Sequence, residues 1–194
     1  MRENPRKKQI VEAAARAMAS RGYSDASIKE IAAEAGLAAP GLVHYYFKTK
    51  EEILHEVVRE SCRRYEAEFG GLSAERDAGP DAAAQPLPET GEDADTHRPE
   101  WYKLRYELFA LGLRSPELAG EIAELLRVGQ GGISGVLQAA LPVIEAEERE
   151  ALSAVLLACF DGLALQKMLR PELDLEKAYA LLESMIVERF PPAE

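Results

Sequence analysis

Cysteine is almost absent: Cys62 and Cys159 are the only two in 194 residues. Two distant thiols exclude a disulfide scaffold and a cysteine-based zinc site. His55 and His97 have no partner at metal-ligand spacing, so no metal and no cofactor is expected. No nucleophile stands beside a base, and no glycine-rich phosphate loop occurs, so no catalytic residue is expected. Asp161-Gly162 reads as a polar break in an apolar helix rather than as a catalytic acid. Alternating strand patterns are missing. No apolar run reads as a bilayer span and no leader-like segment opens the chain, so a cytoplasmic protein without a membrane partner is expected. Basic residues are in deficit, 23 Lys and Arg against 34 Asp and Glu, for a net charge of −11.

That deficit is uneven. Residues 1–50 hold nine basic and five acidic residues, and the rest of the chain holds fourteen and twenty-nine. A basic head on an acidic body points to nucleic acid, although a merely solvated N-terminus has the same charge.

The apolar residues, 47% of the chain, recur almost everywhere at helical spacing, which predicts an all-α fold. Pro5 suits a first helical position, and Ile10, Ala14, Ala17 and Met18 follow before Gly22 supplies a stop. Ser27 and Glu30 form a capping box opening a short helix that Gly36 ends. Thr49 and Glu52 form a second, opening a long helix expected to end at Gly70-Gly71. Residues 70–99 are rich in Gly, Pro, Ala and acids and read as a mobile loop. Helices are then expected at 100–114, 116–127, 129–141, 145–169 and 174–190.

Two short helices, near 27–34 and 40–47, joined by a turn with Gly36, make a helix-turn-helix. Such a unit lays its second helix in the DNA major groove. Pro40 and Gly41 open that helix, and Gly41 leaves its backbone clear for close approach. His44, Tyr45 and Tyr46 can meet phosphate or base edges. Phe47 is expected in the core, where Tyr45 would also fit as a plain packing residue. Lys48 and Lys50 stand at the exit, beside the next helix N-terminus, where Lys50 can clamp a phosphate. Arg6, Ser27 and Lys29 complete the expected DNA-binding set.

The segment GYSDASIKEIAAEAGLAAPGLVHYYFKTKEEIL resembles the N-terminal DNA-binding domain of the TetR family of ligand-responsive transcriptional regulators. The matching elements are Gly22-Tyr23, Ser27, Ile31-Ala32, Ala35-Gly36, His44-Tyr45-Tyr46-Phe47 and Thr49-Lys50-Glu51. His44 stands where the family usually has tyrosine. The resemblance implies a DNA-binding domain at 1–48 and a helical ligand-binding and dimerisation domain at 49–194. It also implies three partners: double-stranded operator DNA, a second copy of the chain, and an unknown small-molecule effector.

The residues support each part. Leu152, Val155, Leu156, Cys159 and Leu163 leave one helix apolar around most of its girth, and Leu182, Met185 and Ile186 mark the next. Two such helices per subunit suit an intersubunit four-helix bundle, or the centre of a monomer. Cys62, Tyr65, Phe69, Trp101, Tyr102, Tyr106, Phe109 and Phe160 are candidates to line an apolar ligand pocket, although aromatics at this spacing also serve as ordinary core. As lone thiols, Cys62 and Cys159 suit small buried hydrophobes better than oxidant sensors. A ligand-gated repressor is therefore expected, ahead of an enzyme or a DNA-architectural protein.

Overall fold

The structure, a computed structural model, describes residues 4–76 and 99–191, with side chains described outside 68–76. Among these residues are eight helices and no strand: α1 (Pro5–Arg21), α2 (Ile28–Glu34), α3 (Gly41–Tyr46), α4 (Lys50–Arg76), α5 (Pro99–Arg114), α6 (Pro116–Ala140), α7 (Ala146–Leu169) and α8 (Leu175–Arg189). The all-α expectation holds. Most of the expected loop at 70–99, with His97, lies outside the described residues.

Local chemistry sets the first three helices. The Asn4 side chain accepts the Arg6 N–H at 3.0 Å, Pro5 fills the first position, and α1 stops at Gly22 with φ +81°. The Ser27 hydroxyl accepts the Glu30 N–H at 3.3 Å while Glu30 accepts the Ser27 N–H at 2.8 Å, closing the capping box. Gly36, with φ +61°, ends α2, and the Leu37 N–H returns to the Ala32 carbonyl at 2.9 Å. Both glycines sit in left-handed backbone that a Cβ would strain.

Two helix ends differ from expectation. α4 runs through Gly70-Gly71 to Arg76 rather than stopping there. The segments expected at 116–127 and 129–141 are one helix, α6, passing through Gly129, Gly131, Gly132 and Gly135. Each interior glycine costs about 1 kcal/mol of helix propensity. Packing offsets this at Gly129, where a Cβ would lie 3.4 Å from Leu157 and 3.6 Å from Tyr65.

The chain divides into two compact units. The first comprises residues 1–63 and 98–125, and the second 64–97 and 126–194. This packing division differs from the functional boundary expected at 48–49, which rests on which residues meet DNA.

In the first unit α1 packs against α2 and α5. Ile10, Met18, Ile31, Val43, Ile53, Leu54, Val57, Val58 and Leu108 are fully buried, each worth about 1.5–3 kcal/mol of transfer free energy. Gly112 of α5 lets α6 approach closely: a Cβ there would stand 2.9 Å from the Ile122 Cβ. In the second unit α7 packs on α8, and Ile133 and Leu137 of α6 cluster with Leu156 and Leu157 of α7.

α7 corrects a further expectation. With mean hydropathy 1.5 it is long and apolar enough to cross a membrane by length and composition. The sequence marks this helix as apolar around most of its girth, and Asp161 is its sole charge between Glu150 and Lys167, but from the sequence alone the length of that apolar run does not read as a span. Leu156, Leu157 and Ala164 are buried within the chain's own core, as in a bundle helix.

Candidate nucleic-acid interface

α3 has two sides. Val43 is fully buried and Phe47, just past its end, is 2% exposed, so the core expectation for Phe47 holds. The other side carries Gly41, Leu42, His44 and Tyr45, all exposed, with Tyr45 at 81%. Tyr45 is therefore no core residue. Its ring meets half-buried Tyr46 edge-on, with centroids 5.0 Å apart. Pro40, before the helix, is also exposed and its side chain makes no capping bond.

Side chains from α1 fix this head. Gln9 Nε2 donates to the Ala35 carbonyl at 2.7 Å, holding the turn between the two short helices. Arg16 pairs with Glu34 at 2.8 Å and Arg21 with Glu30 at 2.6 Å, tying α1 to α2. Such exposed pairs are screened by water and contribute orientation more than stability. Lys7 reaches Glu56 of α4 at 2.7 Å. These cations are engaged in holding the head together. Arg6, Lys8, Lys29 and Lys48 stand exposed, Arg6 donating to Gln9 Oε1 at 2.8 Å.

The expected phosphate groups are placed unevenly. Ser27 is exposed, but its hydroxyl donates to Glu30 Oε2 at 2.8 Å within the cap. Lys50 does not project freely. Its Nζ donates to the Ser24 carbonyl at 3.1 Å and lies 4.3 Å from the Tyr23 ring centroid. Tyr23 in turn donates its hydroxyl to Glu51 Oε1 at 3.3 Å. Burial, with the Glu51 charge beside it, pushes the Tyr23 phenol up to about 12. Thr49 caps α4 by accepting the Glu52 N–H at 3.2 Å, and Glu52 accepts the Lys48 N–H at 2.8 Å.

The residues expected at a ligand pocket divide between the units. In the first, Trp101 is buried, and Tyr102, Tyr106 and Phe109 are half-buried along α5. Tyr102 and Tyr106 stack at 6.2 Å, and Phe109 meets Tyr106 at 6.4 Å. Arg105 is fully buried, its guanidinium 5.0 Å from the Phe109 ring centroid. Cys62 is half-buried on α4. In the second unit Tyr65 is buried and Phe160 packs on Tyr179 of α8 at 6.0 Å. The Phe69 side chain lies outside the described residues.

The expected dimer set needs one correction. Leu156 is 2% exposed and belongs to the chain's own α6–α7 cluster, so no partner can bury it further. Helical periodicity placed it on an apolar helix without saying which side faced inward. Leu152, Leu182 and Ile186 are half-buried against that same cluster. Cys159 and Leu163 are half-buried, while Val155 is 54% and Met185 59% exposed.

Residues 10–57, which include this three-helix head, match bacterial regulatory proteins of the tetR family. Residues 92–191, more than half of the chain, match the C-terminal region of BetI-type transcriptional repressors. The chain belongs to the TetR family.

This TetR-family chain is 27% identical over 191 residues to the HTH-type transcriptional regulator BetI of Rhizobium meliloti (strain 1021), covering 95% of this chain and 89% of that protein. It is 35% identical over 63 residues to the fatty acid metabolism regulator protein of Bacillus subtilis (strain 168), about a third of either chain. A transcriptional regulator from Rhodococcus sp. Rha1 has the same fold, with a TM-score of 0.72 at 27% identity over 97% of this chain and 99% of that one. A regulator from Saccharomonospora viridis, solved in complex with choline, shares the fold at TM-score 0.64 and 22% identity, covering 93% and 94%. The TetR-family assignment makes the protein a DNA-binding transcriptional regulator of repressor type, with a helix-turn-helix head and a helical C-terminal region.

Some residues of this TetR-family head carried no local signal. Glu107 of α5 accepts the Tyr23 N–H at 2.7 Å, and Gln9 reaches Ala35. Neither pair shows a periodicity, because each depends on how separate helices meet.

Proposed function

We propose that two copies of the chain pair through α7 and α8, present their two α3 helices to a palindromic operator, and release it when a small apolar or aromatic ligand binds. The observation that carries this reading is the uncovered apolar surface of α7 and α8. Val155 is 54%, Leu181 62% and Met185 59% exposed, and no residue of α8 is fully buried within its own chain. An apolar helix face of this kind calls for cover. A second copy supplies it and brings a second reading head. Leu152, Val155, Cys159, Leu163, Leu182, Met185 and Ile186 are the residues assigned to the pairing.

On the DNA side, Arg6, Lys29, Lys48 and Lys50 are assigned to phosphate, and Pro40, Gly41, His44, Tyr45 and Tyr46 to the groove. On the effector side, Trp101, Tyr102, Tyr106 and Phe109 of α5 are assigned with Cys62. The choline held by the Saccharomonospora protein raises a cationic ligand as the rival. Arg105 argues against it here: its guanidinium already occupies the Phe109 ring, 5.0 Å from the centroid, so that face is not open to a second cation. A neutral apolar ligand does not need that face.

Selection of bound sequences from random duplex DNA tests the reading. The expected result is a palindrome whose half-sites lie roughly 34–36 Å apart or a multiple of that. Asymmetric sites would overturn it. Met185→Glu should yield monomers in sedimentation and lose operator binding.

A further inference from the structure

Resting on the operator-reading function above, we infer that Leu42 is a specificity-determining residue that reads the C5-methyl group of a thymine in the major groove. The entry to α3 is poor in polar side chains. Ala38, Ala39, Pro40 and Gly41 are all exposed there, and none has a side-chain donor or acceptor. Base edges in this region cannot be read there by side-chain hydrogen bonds.

α3 turns by about 100° per residue, so the inward positions Val43 and Phe47 leave Tyr45 at the outer pole, with Gly41 one turn before it. His44 stands on one flank of that pole and Leu42 on the other. Leu42 is 45% exposed, a branched aliphatic side chain held out on a helix only six residues long. A Cβ placed on Gly41 would meet nothing within 4 Å beyond its chain neighbours, so the outer side of the first turn of α3 is open. Exposed cations on the same head, Lys29 and Lys48, match the charge of a DNA backbone. The face that α3 brings to a groove is apolar on the Leu42 side. The one apolar group that base pairs present in the major groove is the thymine methyl.

The test uses the full-length protein and the duplex recovered by selection. Each thymine is replaced in turn by deoxyuridine, which deletes the methyl group and leaves the pairing unchanged. Wild-type protein should lose about four-fold in affinity at one position per half-site, the effect of one buried methyl group. Leu42→Ala should bind the thymine and uracil duplexes equally at that position. A cytosine there should be bound better by wild-type protein when it carries a C5-methyl.

Failure to recover any preferred duplex would sink the operator-reading function itself. A preferred duplex on which no uracil substitution matters to wild-type protein would leave that function standing and overturn the role of Leu42. Retention of the full thymine preference by Leu42→Ala would overturn that role too. The uracil series on wild-type protein needs no variant to fold.

Discussion

Glu107 of α5 accepts the backbone N–H of Tyr23 at 2.7 Å, across 84 positions of sequence. The bond holds the corner after Gly22, where α1 ends and the chain turns toward α2. Hydrogen bonds to charged acceptors contribute about 1.5–3 kcal/mol. Glu107→Ala should therefore lower unfolding free energy by about that amount in urea titrations, and Glu107→Gln, which keeps an acceptor oxygen, by less. Equal loss in both variants would show that the side chain acts only by filling space.

Gly112 and Gly120 make opposite predictions within the α5–α6 pair. A Cβ on Gly112 would stand 2.9 Å from Ile122, and one on Gly120 meets nothing within 4 Å. Gly112→Ala should destabilise by about 1–3 kcal/mol through overpacking. Gly120→Ala should stabilise by about 0.5–1 kcal/mol, because alanine restricts the unfolded chain and favours helix. Thermal melts of the two variants should move in opposite directions.

Local features were the legible ones. Ser27 and Glu30 are three residues apart, and their capping box could be read directly. Gly22 and Gly36 stopped helices where expected because both take positive φ. Gly129 and Gly131 did not stop α6, since Gly129 is a packing contact with Leu157 and Tyr65 that no local pattern encodes. Lys50 was legible as a cation at a helix start. Its position over Tyr23 and on the Ser24 carbonyl depends on a loop brought in from elsewhere. Apolar periodicity marked α7 and α8 as core or interface without separating inward Leu156 from outward Val155.

Gly41 separates folding from DNA reading. It sits in an exposed helical turn with open space around it, so the free protein has no steric need for glycine there. Gly41→Ala should leave stability unchanged or raise it by up to about 1 kcal/mol. If the α3 backbone approaches base edges, the added methyl should weaken operator binding. Unaltered affinity in a binding titration would remove close approach as the reason for Gly41.

Two titrations bracket the stability profile. The Ser27 backbone N–H, then its hydroxyl, hold the Glu30 carboxyl below its ordinary 4.5. The folded state thus binds fewer protons there, so stability is present above that value and lost as pH falls through the depressed range. Tyr23 is the reverse case, raised from 10.0 to about 12. Its contribution is full below pH 10 and lost as pH rises toward 12. Glu30→Gln should flatten the acid limb of a stability–pH curve, and Tyr23→Phe the alkaline limb. An unchanged alkaline slope in Tyr23→Phe would refute the placement of that phenol against Glu51.

Effector release should be visible from Trp101, the only tryptophan in the chain and a buried one. α5 carries Trp101, Tyr106 and Phe109, and between them Glu107, which holds the corner after Gly22. A ligand that stacks on Tyr106 or Phe109 and shifts α5 therefore pulls on the reading head of the same unit. Coupling of this kind is typically about 1–3 kcal/mol, roughly 5–150-fold in affinity. Linkage is reciprocal, so saturating operator must weaken ligand binding by the same factor by which ligand weakens operator binding. Titrating neutral aromatic compounds while following Trp101 fluorescence, with and without operator, measures both. Choline serves as the cationic comparison and should bind more weakly. In Glu107→Ala the ligand should still quench Trp101 with near wild-type affinity, while the difference made by operator shrinks toward unity. Ligand affinity indifferent to DNA in the wild-type protein would show that α5 and the reading head are not coupled, whatever binds beside Trp101.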